Sequence, residues 1–244
     1  MKLSKKSLAD FISLCIREWH EGSPVTGPTD AQLSFPKGIF ITGTDTGIGK
    51  TYVATQLAKV LRESGMNVGA MKPIETGCRI QNGVLYPSDG WALKKAVSVD
   101  DPINLIVPIR LRKPLAPLAA AESERKKIDL KKIDQAYRKL RKKHNFLIVE
   151  GAGGALVPIR ENFSMLDLAK RLRLPVVLVI GNRLGAINHA LLTMEAIQRR
   201  NTPCLGWILN DFQSPAFSGK TNKKVLKKLL SFPCLGTLAF NPSD

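Results

Sequence analysis

Nine consecutive residues, Gly43-Thr44-Asp45-Thr46-Gly47-Ile48-Gly49-Lys50-Thr51, have the composition of a loop that grips a triphosphate. Phosphate oxygens need many donors in a small space. Glycines let backbone N–H groups curl around them, and a helix starting at Lys50 adds its positive dipole end. Lys50 then reaches the β- and γ-phosphates, and the Thr51 hydroxyl serves as a magnesium ligand. Five residues separate Gly43 from Gly49, one more than in the standard loop. A second constellation is Val149-Glu150-Gly151-Ala152-Gly153-Gly154. Its acid suits magnesium, and its glycines, Gly153 among them, permit close approach of backbone to an anion. A Glu-Gly pair can also simply end a strand; the neighbouring phosphate loop favours the metal, because such enzymes need an acid on it. Met71-Lys72-Pro73-Ile74-Glu75-Thr76-Gly77 adds Lys72, which can hold a developing anion or be a plain surface lysine. Asp89, in Pro-Ser-Asp-Gly, stands at a helix start that N-capping alone would explain.

The elements that must carry these residues alternate. Gly38–Thr42 reads as a short strand, Lys50–Ser64 as a helix stopped by Gly65, and Val68–Pro73 as a second strand. Phe146–Glu150, Pro175–Ile180 and Cys204–Asn210 are continuous apolar runs, expected of parallel strands covered on both faces. Helical patterns fall at Met165–Leu172 and Ala186–Arg200. Strands alternating with helices predict an α/β fold with a doubly wound, mainly parallel sheet, and the chemistry-bearing residues fall at the carboxyl ends of its strands. Residues 1–37 differ: an apolar helical face from Leu3 to Trp19 is followed by turn formers, an amphipathic helix and linker before a catalytic domain over 38–244.

Bulk properties narrow the partners. No apolar run is long enough to span a bilayer. The four cysteines show neither CxxC pairing nor zinc spacing, and they read as reduced thiols of a cytoplasmic protein. The net charge of +17 attracts anions, ATP and nucleic acid alike. Its densest run, Arg125–His144, carries an apolar stripe and lacks an aromatic platform, so it reads as a surface helix and nucleic acid is not expected as a partner.

Taken together, the phosphate loop, Met-Lys-Pro with Thr76-Gly77, Val149–Gly154, Val-Ile-Gly-Asn-Arg-Leu-Gly-Ala-Ile-Asn-His (Val179–His189) and Gly-Trp-Ile-Leu-Asn-Asp (Gly206–Asp211) resemble the dethiobiotin synthetase family, in the family's order. The resemblance implies a cyclo-ligase that forms dethiobiotin from 7,8-diaminononanoate, CO2 (or bicarbonate) and ATP with Mg2+, the penultimate step of biotin synthesis. By motif, Thr44, Asp45, Thr46, Gly47, Ile48, Gly49, Lys50 and Thr51 hold the triphosphate, and Thr51, Asp89 and Glu150 match the metal ligands. Thr46, Lys72 and Thr76 match positions meeting the diamine, its carbamate and the γ-phosphate. Asn210 matches an adenine-reading asparagine. Leu184, Gly185 and Asn188 match a segment that captures the substrate carboxylate from the neighbouring subunit, which implies a homodimer with composite sites. Two departures stand out. Ala116-Pro117-Leu118 replaces a Ser-Pro-His, and the match fades past Asn210.

Two other classes compete. A P-loop amide-forming ligase of the cobyrinate amidase kind carries a glutaminase domain for which no length remains. A switch ATPase of the septum-site or partition type carries an extra lysine early in the loop, where this chain has Thr44, Asp45 and Thr46. Every candidate site residue lies beyond Gly38, so deletion of residues 1–36 is expected to leave turnover intact. A truncated protein that is folded and inactive by steady-state assay would overturn that division of the chain.

Overall fold

The protein is described by a computed structural model over residues 36–212 and 219–240. The helix and linker expected within residues 1–35 lie outside the described residues.

From the amino end, β1 (Gly38–Gly43) leads into α1 (Lys50–Glu63) and β2 (Val68–Met71). Short pieces follow: β3 (Ile74–Glu75), a hairpin of β4 (Arg79–Gln81) and β5 (Val84–Tyr86), α2 (Ser88–Val97), the single turn α3 (Ile103–Ile106), β6 (Ile109–Arg110) and α4 (Pro117–Ser123). Regular alternation returns with α5 (Leu130–Lys143), β7 (Phe146–Glu150), a ribbon of β8 (Pro158–Arg160) and β9 (Phe163–Ser164), and α6 (Met165–Arg171). The chain continues through β10 (Val176–Gly181), α7 (Ala186–Arg199), β11 (Cys204–Asn210), α8 (Gly219–Leu229) and β12 (Cys234–Leu238).

Six strands form one sheet in the order β12-β11-β10-β1-β7-β2, and every pairing in it is parallel. Side chains of a strand alternate between faces, so each long strand feeds two cores. Ile39, Ile41, Ile148, Val177 and Val179 face Val53, Leu57 and Leu61 of α1 and Leu93 of α2. Phe40, Val149, Leu178, Ile180 and Trp207 face Ile133 and Leu140 of α5, Leu168 of α6, Ala190 and Met194 of α7 and Leu226 of α8. This double cover is why those strands read as unbroken apolar runs. The expected doubly wound α/β fold is present. The chain leaves β1 for β2 on one side and later places β10 on the other, so the carboxyl end of β1 is the switch point where such sheets bind ligands.

Several boundaries differ from the sequence reading. β2 ends at Met71 and not at Pro73, because the Lys72 N–H turns away to the Ile106 carbonyl (2.8 Å) and Pro73 has no N–H to give. The basic helix begins at Leu130, where the Asp129 carboxylate accepts from the Lys131 N–H (2.8 Å). β12 escaped notice because Cys-Leu-Gly-Thr-Leu is short and glycine-interrupted; its pairing with β11 makes it a strand.

The far edge of the sheet is held by a polar cluster. The His144 ring sits between Asp101 (Nε2 to Oδ2, 2.5 Å) and Asn67 (Nδ1 to Oδ1, 2.8 Å), and Lys143 donates to the other Asp101 oxygen (2.9 Å). Burial opposes the Asp101 charge, but the bonds from Lys143 and His144 prevail and hold the carboxyl below its ordinary pKa. A folded-state pKa depressed in this way contributes stability above the unfolded value, and that contribution vanishes as pH falls through the folded one. Asp101→Asn is therefore expected to cost roughly 1–3 kcal/mol at pH 7. Urea melts should show the gap closing in acid, and a gap independent of pH would contradict the assignment.

Candidate active site

Three neighbouring strand ends build the site. β1 delivers the phosphate loop, and its register puts Ile41 beside Glu150 of β7. β7 in turn pairs with β2, Met71 opposite Val149, so the next residues, Lys72 and Glu150, emerge side by side. The loop closes onto α1 through Gly49, whose φ of +82° and lack of a side chain are both required: a Cβ there would come within 2.3 Å of Asn210 Nδ2. That amide donates to the Ile48 carbonyl (2.8 Å), so Asn210 at the end of β11 braces the back of the loop. Its Oδ1 is buried with no partner among the described residues. Beside it a cleft of about 220 Å³ opens between Gly47, Gly49, Tyr52, Asp211, Phe212 and Phe240.

The charged groups converge on a neighbouring cavity of about 360 Å³. Lys72 Nζ lies 2.6 Å from Glu150 Oε1 and 2.8 Å from Asp89 Oδ2, and the Thr51 hydroxyl donates to the same Glu150 oxygen (2.8 Å). Lys50 folds back over its own loop to the Asp45 carbonyl (2.7 Å). Thr46, Gly47, Gly49, Thr76 and Gly153 complete the wall. Burial disfavours the Lys72 charge, but Glu150 and Asp89 outweigh it and keep the ammonium protonated. Burial pushes the Glu150 carboxyl up, against the pull of Lys72. For Lys50 the balance is reversed: burial first, then repulsion from Lys72, outweighs the pull of Glu150, Asp45 and Asp89 and lowers its pKa from 10.5 to about 8.

Sequence and structure part company at some positions. Asp89 does not cap α2. The cap position is Pro87, which has no side-chain hydrogen bond to offer, and the Asp89 carboxylate points instead to Lys72. The capping bonds come from Glu75, whose buried carboxylate accepts from the Asp89 N–H (3.0 Å) and the Gly90 N–H (2.9 Å). Burial raises the Glu75 carboxyl, with the Gly90 amide pulling the other way. Glu75 was passed over because its motif drew the eye to Lys72 and Thr76; its partners lie 14 and 15 residues away. Asp45 is claimed by its neighbours: it accepts from the Thr46 N–H (2.7 Å) and from Arg183 Nη2 (2.5 Å), and sequence reasoning gave Arg183 no role. Ile48 is buried beneath the loop, and Thr44 borders a second opening formed with Gly154 and Leu192. Leu184, Gly185 and Asn188, expected to serve a neighbouring subunit and not their own, lie outside this cavity. They lie exposed at the start of α7, with Leu184 83% exposed.

The donor set fits magnesium. Two carboxylates already converge on one cation, the Lys72 ammonium, and Glu150 Oε2 is buried with no partner among the described residues. Among those residues no group of three or more His, Cys, Asp and Glu could hold a metal. One or two acids with a hydroxyl is the set magnesium takes when phosphates complete its shell.

A protein-family model described as an AAA domain matches residues 37–243. The fold is shared with the MinC:MinD cell division protein complex of Aquifex aeolicus, at TM-score 0.52 and 15% identity over 85% of this chain and 83% of that one. It is shared equally with a ParA family ATPase of Chlorobium tepidum, at TM-score 0.51 and 14% identity over 85% of this chain and 86% of that one. Loop, sheet and site together define a P-loop nucleotide-binding protein. Closer relatives carry the assignment further. The ATP-dependent dethiobiotin synthetase BioD of Thermodesulfovibrio yellowstonii is 44% identical over 213 residues, 83% of this chain and 88% of that protein. Its counterpart in Methanocaldococcus jannaschii is 47% identical over 176 residues, 70% of this chain and 78% of that protein. The chain belongs to the family of ATP-dependent dethiobiotin synthetases.

Lys50 supplies a test of the site's electrostatics. With a folded pKa near 8 against 10.5 unfolded, the ligand-free fold carries a penalty at neutral pH that disappears between those values. Lys50→Met is expected to abolish turnover while raising the melting temperature of the ligand-free protein at pH 7. That advantage should shrink as pH rises from 8 to 10.5. A variant less stable than wild type at pH 7 would contradict the placement of this charge.

Proposed function

We propose that the chain closes the cyclic urea of dethiobiotin from 7,8-diaminononanoate, CO2 and ATP, with magnesium held by Thr51, Asp89 and Glu150. The observation that carries this reading is the meeting of Lys50, Lys72 and both acids in one cavity against the phosphate loop, in a chain of this family.

One amine attacks CO2 and loses a proton to give a carbamate. A carbamate oxygen takes the γ-phosphoryl group and ADP departs. The second amine then attacks the carbonyl carbon, phosphate leaves and the ring closes. Each step builds negative charge on oxygens, and the two lysines are cations already held at the cavity wall, stabilising that charge with little reorganisation. Bound magnesium supplies further charge neutralisation on the phosphates. The rest is positioning: an amine, a carbonyl carbon and a phosphorus in line gain rate chiefly by being held together.

The unit of activity in this reading is a two-fold dimer. Leu184, Gly185 and Asn188 serve the partner's site, and their exposure outside their own cavity supports it, as do the neighbouring exposed side chains of Leu156, Leu191 and Leu192. Among the described residues no helix is long and apolar enough to cross a membrane, and we assign the enzyme to the cytoplasm.

Incubation with diaminononanoate, bicarbonate and ATP with magnesium is expected to yield dethiobiotin by mass spectrometry; ATP hydrolysis without that product would sink the proposal. For the dimer, Lys50→Ala and Asn188→Ala should each be impaired alone. Refolded together in equal amounts, they should regain roughly a quarter of wild-type activity, because about half the dimers are mixed and one site in each is intact. No rescue, with mixed dimers confirmed by mass, would place the site within one chain.

A further inference from the structure

Asp89 is a short side chain, 38% exposed, on the first turn of a helix whose own cap residue is Pro87. Its carboxylate can meet Lys72 only if the backbone that bears it is fixed, because two side-chain torsions cannot compensate for a drifting helix end. Two contacts fix it. Gly90 presses so close to the turn after α3 that a Cβ would overlap Val107 Cγ2. The N–H groups of Asp89 and Gly90 are both taken by Glu75, each through a different carboxylate oxygen, and the Ser88 hydroxyl approaches at 3.4 Å. Glu75 is itself firmly mounted. It is 3% exposed and lies in β3, which pairs with β6 opposite Arg110, its carbonyl accepting from the Leu111 N–H (2.9 Å). It borders the cavity beside Thr76, two positions from Pro73 and three from Lys72.

We propose that Glu75 is a positioning residue for this reaction: by holding the two backbone amides at the start of α2, it aims the Asp89 carboxylate at the metal position next to Lys72. The inference rests on the assignment of Asp89 to magnesium. Helix-opening N–H groups left without a fixed partner let the first turn fray, and Asp89 stands in that turn. A carboxylate also suits the positive end of the helix better than a neutral cap. Glu75 thus ties the β2–β3 segment, which carries Lys72, to the helix that carries Asp89, so the cation and its second acid keep their spacing.

The test is magnesium binding to the full-length protein by titration calorimetry, with a non-hydrolysable ATP analogue present. Glu75→Ala should weaken magnesium about tenfold, as loss of an orienting partner to a metal ligand does. Binding of the analogue without metal should stay unchanged. Asp89→Ala should weaken magnesium at least as much, and the double variant should be no worse than Asp89→Ala alone, because two residues acting through one contact are not additive. Amide exchange at residues 89 and 90 should accelerate in Glu75→Ala. Glu75→Gln keeps the volume and one acceptor, should fall between wild type and Ala, and carries the comparison if Ala fails to fold. Wild-type magnesium affinity in Asp89→Ala would overturn the metal assignment. Weakened binding there, with Glu75→Ala and Glu75→Gln both unchanged or with additive losses, would overturn the role of Glu75 alone. Equal loss of metal-free analogue binding in the Glu75 variants would overturn it too, reducing Glu75 to general scaffolding.

Discussion

Everything at this site is arranged around one buried cation, the Lys72 ammonium, pinned between Glu150 and Asp89. Charges taken out of water tolerate little play, since withdrawing one partner of a buried pair costs about 3–5 kcal/mol. That constraint propagates outward. Glu150 can reach Lys72 only because β7 and β2 are parallel neighbours in the register that sets Met71 against Val149. Thr51 can share the Glu150 oxygen only because β1 flanks β7 on the other side and α1 starts where the loop lets go. A sheet with its strands shifted by one residue would turn each of these side chains to the opposite face.

The same pair separates the roles of the two lysines. Lys72 has two counter-ions and remains charged. Lys50 has a backbone carbonyl for its hydrogen-bond partner, and burial with the repelling Lys72 ammonium outweighs the pull of nearby carboxylates, so it is the group with a remaining demand for negative charge. In the function proposed above, the triphosphate meets that demand.

How much of this was legible beforehand follows from the range of the interactions. The apolar runs Phe146–Glu150 and Cys204–Asn210 declared buried parallel strands, since only strands covered on both sides carry no polar alternation. The phosphate loop was equally plain, because its chemistry is local and written in nine adjacent residues. What stayed hidden was set by partners distant in sequence. Glu75 caps a helix 13 residues on, and nothing in Pro-Ile-Glu-Thr-Gly announces it. Arg183 meets Asp45 across 138 positions. Phe240 joins Asn210 and Phe212 at the cleft only because β12, a strand too weakly patterned to recognise, returns the chain to the end of β11. Asp89 was found by motif, with a capping explanation that the geometry replaces by an ion pair. The fold itself could not have distinguished a ligase from the other ATPases that share it; the residues on its strand ends do that.

Asn210 belongs at once to the phosphate loop and to the cleft beside it. Its amide nitrogen is committed to the Ile48 carbonyl, which fixes the side chain's orientation and leaves the oxygen buried as an acceptor without a donor among the described residues. Because one side chain both braces the loop at Ile48 and lines the neighbouring cleft, a substitution there cannot reshape the cleft without also releasing the loop.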